Sequence, residues 1–431
     1  MSHRLLSYYG DDFTGSTDVL EVLAVHGVPA VLFLDPPEEG QLARFPDCRA
    51  MGIAGESRSR GPEWMSAHLP AAFRSLQAFG APVCQYKVCS TFDSSPQFGS
   101  IGRTIEIGSA VFDTECVPVV AAAPHLKRYV LFGNLFAAVG DEVYRIDRHP
   151  VMRHHPVTPM EESDLRLHLA RQMKGKALLL DIRALRAGAA AQFDRLAAER
   201  PQAVVIDGLD EESLVETGRL LWQRTGRHPF LVGSSGLTNA LALHWRVAGL
   251  IPQTFEPARA RAVEKLIVIS GSCSAVTAGQ IEWAAIHGFA MQRVTPQMLA
   301  DAAAREALVA SGLEALANGW SLAVYTALGP GDCEGGMGGA ELGCELGRLL
   351  RQLLLGSDVR RVVVAGGDTA SHAVRQLGIE ALTFAGPLSP GAPLCRSHAP
   401  GSAMDGLELV LKGGQVGPEN FFEIALKGRQ E

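Results

Sequence analysis

Two consecutive carboxylates occupy a glycine-hinged turn, Gly10-Asp11-Asp12-Phe13-Thr14-Gly15-Ser16-Thr17-Asp18, directly after a short apolar run. One helix cap would need a single such side chain to satisfy the free N–H groups of a first turn. Two carboxylates, a hydroxyl and two glycines exceed that need and mark a site. A second polar segment, Gly55-Glu56-Ser57-Arg58-Ser59, offers an arginine able to hold a substrate carboxylate through two parallel hydrogen bonds; the competing assignment is a surface salt bridge. In a third, Lys87, Ser90, Thr91, Asp93, Ser94 and Ser95 bring a cation, four hydroxyls and a carboxylate together within nine residues. Gly233-Ser234-Ser235-Gly236 is a weaker signal that also fits a plain helix start. His154-His155 lacks spaced partners, so no metal site is expected there.

The second half presents anion-binding chemistry. Ile269-Ser270-Gly271-Ser272-Cys273-Ser274 lies between an apolar run and a helical pattern, where backbone N–H groups, a helix dipole and serine hydroxyls can face a phosphate. Ala365-Gly366-Gly367-Asp368-Thr369 repeats the arrangement, and Lys412-Gly413-Gly414-Gln415-Val416-Gly417 supplies a third loop. Any one of these fits an ordinary turn, but three in one region favour a nucleotide site. The chain has no G-x-x-x-x-G-K-[ST], no G-x-G-x-x-G after its first strand and no G-x-S-x-G, which excludes a Walker-type NTPase and weakens the dehydrogenase and α/β-hydrolase readings.

These segments must be positioned by strands, because ligands of open α/β sheets bind beyond the strands' carboxyl ends. Short runs of Val, Ile and Leu alternate with helical patterns throughout, as buried parallel strands and their crossover helices do. Strands are expected at Leu5–Tyr9, Ala30–Leu34, Ala50–Ala54, Val83–Val88, Pro118–Ala122, Ala177–Asp181, Ala203–Asp207 and Phe230–Val232. Helices fill the intervals, for example Ser16–His26, Pro62–Phe79 and Glu211–Arg224. The pattern lapses into prolines and mixed charge around Leu250–Arg261 and restarts at Lys265–Ile269, with further strands at Ser321–Tyr325, Arg361–Ala365 and Leu407–Leu411 and helices after the first, third and fourth of these four. The stretch Gly329–Gly339 reads as a loop. The fold class is α/β with two domains, 1–255 and 262–431, each a mostly parallel sheet flanked by helices, and an active site in the interdomain cleft.

The 431 residues are 47% hydrophobic and 20% charged, ordinary for a globular chain of two or three domains. A net charge of −7, from 39 basic and 46 acidic residues, argues against a nucleic-acid surface or a basic membrane face and favours a small-molecule partner. Eight cysteines without a C-x-x-C pair, no signal peptide and no long apolar run indicate a reduced, cytoplasmic protein. A homodimer is compatible with all of this.

Taken together and in chain order, Asp11-Asp12-Phe13-Thr14-Gly15, Lys87 with Ser90-Thr91-Phe92-Asp93-Ser94, Ser270–Ser274, Gly366–Thr369 and Lys412-Gly413-Gly414 resemble the four-carbon acid sugar kinases over nearly the whole chain. Where threonate and erythronate kinases carry Lys-x-Asp-Ser-Thr-Leu-Arg-Gly, this chain has Lys87-Val-Cys89-Ser-Thr-Phe92-Asp93-Ser94, which looks like the 3-oxo-tetronate kinase branch. The usual Lys-Gly-Asn-Ile-Gly continuation is Gln97-Phe98-Gly99-Ser100-Ile101-Gly102 here, so a branched acid such as 3-oxo-isoapionate is also a candidate.

The resemblance implies an N-terminal sugar-acid domain, a C-terminal nucleotide domain and phosphorylation of the acid's terminal hydroxyl by ATP with Mg2+. Asp12, Lys87 and Asp93 are the expected catalytic residues, Asp12 being the base and Asp93 its competitor. Asp11, Thr14, Gly15, Arg58, Ser90, Thr91 and Ser234 are expected to bind the acid. Ser272, Ser274, Gly366, Gly367, Asp368, Thr369, Gly413 and Gly414 are expected to bind the nucleotide. An NAD(P)-dependent oxidoreductase and a non-catalytic sugar-acid sensor are the alternatives.

Overall fold

Strands form where four or five consecutive residues are apolar enough to be buried on both faces, as parallel sheets require. In the computed structural model, which describes residues 4–155, 157–332 and 337–428, these are β1 (Leu6–Gly10), β2 (Ala30–Phe33), β3 (Ala50–Ala54), β4 (Cys84–Lys87), β5 (Val117–Val120), β6 (Arg128–Leu131), β7 (Asn134–Val139), β8 (Glu142–Arg145), β9 (Ala177–Leu180), β10 (Ala203–Ile206) and β11 (Phe230–Gly233). Then come β12 (Ile267–Ser270), β13 (Phe289–Arg293), β14 (Ser321–Tyr325), β15 (Arg361–Ala365), β16 (Ala381–Ser389), β17 (Ala392–His398) and β18 (Glu408–Lys412). The chain divides into two units. One holds the chain up to Asp11, Val22–Ala30 and Asp35–Glu256; the other holds Asp12–Glu21, Val31–Leu34 and the chain from Pro257 onward.

In the first unit seven parallel strands run in the order β3-β1-β4-β11-β5-β10-β9. Tyr8 lies opposite Gly52 in register, and a Cβ there would sit 2.2 Å from the tyrosine ring, so only glycine lets β1 and β3 pair around that side chain. The sequence reading does not contain the antiparallel sheet β6-β7-β8. Its first hairpin turns on Phe132 and Gly133, both at positive φ, the geometry of a two-residue turn that asparagine–glycine usually supplies. Asp207, wholly buried, pins that turn by accepting from the N–H of Phe132 and Gly133, and it also accepts from Ile182 N–H.

In the second unit the order is β13-β14-β12-β15-β18-β17-β16-β2, parallel from β13 to β18 and antiparallel beyond. Three of these strands, β13, β16 and β17, fall where none is predicted. Their periodicity is broken by polar and glycine residues, and they gain order from pairing with neighbours rather than from a continuous apolar run. β2 pairs antiparallel with β16, Phe33 opposite Ala381, so this early strand completes the sheet of the second unit.

A helix at Gly339–Leu355 also follows β14, where none is predicted. Its glycines suppress helix propensity, yet Gly343 and Gly347 allow it to lie against His372 and Ala373 of the helix Gly367–Arg375. The predicted loop 329–339 falls partly on residues 333–336, outside the described residues. Among the described residues no helix is long and apolar enough to cross a membrane.

Candidate active site

Because β3, β1, β4 and β11 are adjacent and parallel, the polar segments that follow them leave the same edge of the first unit's sheet. Asp11, just past β1, is buried and accepts two hydrogen bonds from Arg58, Nε to Oδ2 at 3.1 Å and Nη2 to Oδ1 at 2.7 Å. The Arg58 guanidinium is thus oriented by a buried carboxylate, and a quarter of its side chain remains exposed. Backbone bonds lock the pair, Arg58 N–H to Asp11 O and Asp11 N–H to Lys87 O. Lys87 is buried at the end of β4.

The loop after β4 is strained. Phe92 sits at φ 58 with its side chain fully buried. Thr91 Oγ1 donates to Asp93 Oδ1 at 2.5 Å, and both residues are buried; Ser90 is partly exposed. Burial and the Asp93 carboxylate push the Cys89 thiol up to about 11, so it is neutral at physiological pH.

Sequence reasoning missed the support beneath this loop. The short helix Leu165–Ala170 presents His168, whose Nε2 lies 2.8 Å from Ser94 Oγ and 2.9 Å from Gln172 Nε2, with its ring against Phe92. Burial pushes His168 down to about 4. A histidine lowered from 6.5 binds a proton in the unfolded chain but not in the folded one between those values, so stability is lost as pH falls through that window. Wild-type denaturation midpoints should drop by on the order of 3 kcal/mol of stability between pH 6.5 and pH 4 from this group. His168→Gln should remove that part of the slope, and an unchanged slope would show that the imidazole is not buried in its neutral form.

Ser234 caps the helix Ser235–Val247 by accepting from Gly236 N–H and donates to Ala122 O, which leaves it a structural bond set. Its neighbour Ser235 is the less expected residue: its Oγ is buried without a hydrogen-bond partner among the described residues.

The second unit gathers the three glycine loops. β12, β15 and β18 are adjacent and parallel, so Ser270–Ser274, Gly366–Thr369 and Lys412–Gly414 emerge side by side. They touch: a Cβ on Gly271 would meet Thr369 Oγ1 at 2.4 Å, and one on Gly414 would meet Ser272 Oγ at 2.7 Å. Ser274 caps the helix Ala275–Ile286 through Val276 N–H, while Ser272 Oγ accepts from Ser274 N–H. Gly367 and Thr369 begin the helix Gly367–Arg375, and Asp368 in its first turn is exposed. Gly413 follows β18 directly.

Gly366 is at φ 113, open only to glycine, and a Cβ there would stand 3.0 Å from Thr369 Oγ1. Gly366→Ala should therefore cost about 1–3 kcal/mol of stability and weaken ADP binding, both measurable by denaturation and calorimetry. Wild-type values for both would mean that the loop is not held in this conformation.

Asp12 and Thr14 belong to this second unit. Asp12 accepts from Gly15 N–H at 2.7 Å and from Thr14 Oγ1 at 2.6 Å, so it does cap the helix Phe13–Val25. It is placed for more than that, since a Cβ on Gly367 would lie 3.5 Å from Asp12 Oδ2 and 3.9 Å from Thr14 Oγ1. The candidate base therefore adjoins the glycine-rich turn of Gly366–Thr369.

A sheet edge with an oriented arginine and a buried lysine, together with converging glycine loops flanked by a carboxylate, suits an enzyme that joins an anionic acceptor to a nucleotide. The comparisons agree. Residues 6–241 match the sugar-binding N-terminal domain family and residues 267–422 the nucleotide-binding C-terminal domain family. The chain belongs to the four-carbon acid sugar kinases and is an ATP-dependent sugar-acid kinase.

Among its relatives, the 3-oxo-isoapionate kinase of Paraburkholderia graminis is 48% identical over 99% of this chain and 94% of its own length. The 3-oxo-tetronate kinase of Cupriavidus necator is 33% identical over 99% and 98%. A crystal structure from Salmonella typhimurium LT2, of a protein provisionally described as a tRNA synthase, superposes with a TM-score of 0.80 at 26% identity, covering 99% of each chain. A Haemophilus influenzae protein, 24% identical with a TM-score of 0.72 over 97% and 98% of the chains, shares the fold.

Proposed function

We propose that this kinase transfers the γ-phosphoryl group of ATP to the terminal hydroxyl of a branched 3-oxo sugar acid, 3-oxo-isoapionate, in preference to unbranched 3-oxo-tetronates. The 48% identity to a 3-oxo-isoapionate kinase, against 33% to a 3-oxo-tetronate kinase, supports the choice of substrate. The observation that carries the chemistry is Asp12 beside Gly367, a carboxylate next to the glycine-rich turn to which this reading gives the phosphates. Arg58, set by Asp11, would hold the acid's carboxylate with Ser90 and Thr91, and Lys87 would counter charge on the acceptor. Ser272, Ser274, Gly366–Thr369, Gly413 and Gly414 would hold the nucleotide.

In the reaction Asp12 accepts the hydroxyl proton as the acceptor oxygen bonds to the γ-phosphorus, the bond to the β-phosphate oxygen breaks and ADP leaves. Among the described residues no cluster of three metal-ligating side chains occurs. An Mg2+ ion bound by one carboxylate plus substrate phosphates would need only one such ligand from the protein, and the exposed Asp368 would supply it. The ion would neutralise charge on the transferring phosphoryl group.

A coupled ADP-release assay over 3-oxo-isoapionate, the 3-oxo-tetronates and the corresponding 3-hydroxy acids tests the reading. The branched 3-oxo acid should give the highest kcat/KM. Equal or better turnover of an unbranched acid would overturn the substrate assignment.

A further inference from the structure

Lys412 ends β18 with its side chain wholly buried. Its Nζ donates to Thr277 Oγ1 at 3.0 Å and stands 5.7 Å from the centre of the Phe421 ring. Among the described residues it makes no ion pair. The charged and titratable residues on the elements packed against β18 are Arg361 at the opposite end of β15, paired with Glu408; Cys395, Arg396 and His398 on β17; Asp368, His372 and Arg375 on the helix Gly367–Arg375; and Glu282, Glu423 and Lys427 on the helices Ala275–Ile286 and Phe421–Lys427; among the described residues none bonds to Lys412. A lysine removed from water without a counter-ion favours its neutral amine. Burial accordingly pushes Lys412 down to about 7.

The position of this amine is informative. Thr277 Oγ1, which accepts from Lys412, donates in turn to Gly414 O at 2.9 Å, and Gly414 packs on Ser272 and Ser274. Two hydrogen bonds therefore connect a buried lysine to the loops assigned to the nucleotide. Phosphates arriving there bring several negative charges near a buried amine, where Coulomb attraction favours an ammonium over an amine.

We propose that Lys412 is a positioning residue that takes up a proton when nucleotide phosphates bind, supplying from beneath the loops, through Thr277 and Gly414, the positive charge that the glycines and serines lack. The proposal rests on the nucleotide assignment of these loops and adds a proton to it.

Calorimetric titration of the full chain with ADP at pH 8, in buffers of different ionisation enthalpy, measures the proton directly, because ADP itself is fully ionised at that pH. Wild type should take up roughly 0.5–0.9 proton per ADP. Lys412→Met, close in volume and uncharged, should bind ADP with no such uptake. A second readout needs no variant. A folded lysine lowered from 10.5 leaves the unfolded chain binding more protons, so ligand-free stability should rise from pH 7 towards pH 10, and saturating ADP should flatten that rise.

ADP binding without proton uptake, or with the same uptake in Lys412→Met, overturns the proposal while leaving the nucleotide site intact. Absence of ADP binding to the wild type overturns the nucleotide assignment and the proposal with it.

Discussion

Asp12→Asn should lower kcat by about 10²–10⁴-fold with ADP affinity little altered, the loss expected when a general base becomes a neutral amide. The substitution is close to isosteric, and the amide oxygen can still accept from Gly15 N–H, so the cap of the helix Phe13–Val25 should survive and stability should change little. That separation lets the experiment distinguish catalysis, the role proposed for this residue, from capping, the role its hydrogen bonds show. Asp93 is the competitor: it is also buried, and it accepts from Thr91 within a strained loop. If Asp12→Asn keeps wild-type kcat while Asp93→Asn loses it, the base is Asp93.

Arg58→Ala should raise KM for the sugar acid by roughly 10²-fold, with KM for ATP nearly unchanged, because the guanidinium contributes ground-state binding. The structure adds a second effect. Removing Arg58 leaves the Asp11 carboxylate buried without its bidentate partner, a loss of about 3–5 kcal/mol for fully buried pairs and less here, since a quarter of the arginine side chain is exposed. The double variant Asp11→Asn, Arg58→Ala should recover stability while leaving KM high, because it removes the buried charge without restoring a carboxylate ligand. Steady-state kinetics and denaturation on the single and double variants separate the two terms. An unchanged sugar-acid KM in Arg58→Ala would confine the pair to a structural role.

Most of the sheet strands and all three glycine loops were legible because each depends on a few consecutive residues. Ala203–Ile206 is a strand because Ala-Val-Val-Ile is apolar on both faces, and Gly366-Gly-Asp-Thr369 is a turn into a helix because glycine and threonine favour one. The strands β16 and β17 were not legible: Ala381–Ser389 contains Gly386 and Pro387, and register shifts interrupt its pairing with β17, so its order comes from partners distant in sequence. His168 was hidden for a related reason. A lone histidine in a short helix gives no signal until folding brings Ser94 and Gln172 to its ring.

The sequence by itself determined the α/β class, the polar strand ends and the kinship to sugar-acid kinases, all of which rest on residue type and local spacing. Only the tertiary structure decided how those residues are used. Asp11 and Asp12 are neighbours in the chain yet belong to different units, one paired with Arg58 and the other set beside Gly367, because strand pairing and helix packing assign contacts without regard to sequence separation. The same holds for Lys412. Its type was visible from the start, but its isolation from any counter-ion among the described residues follows from burial between Thr277 and Phe421, which lie 135 residues before it and nine after it.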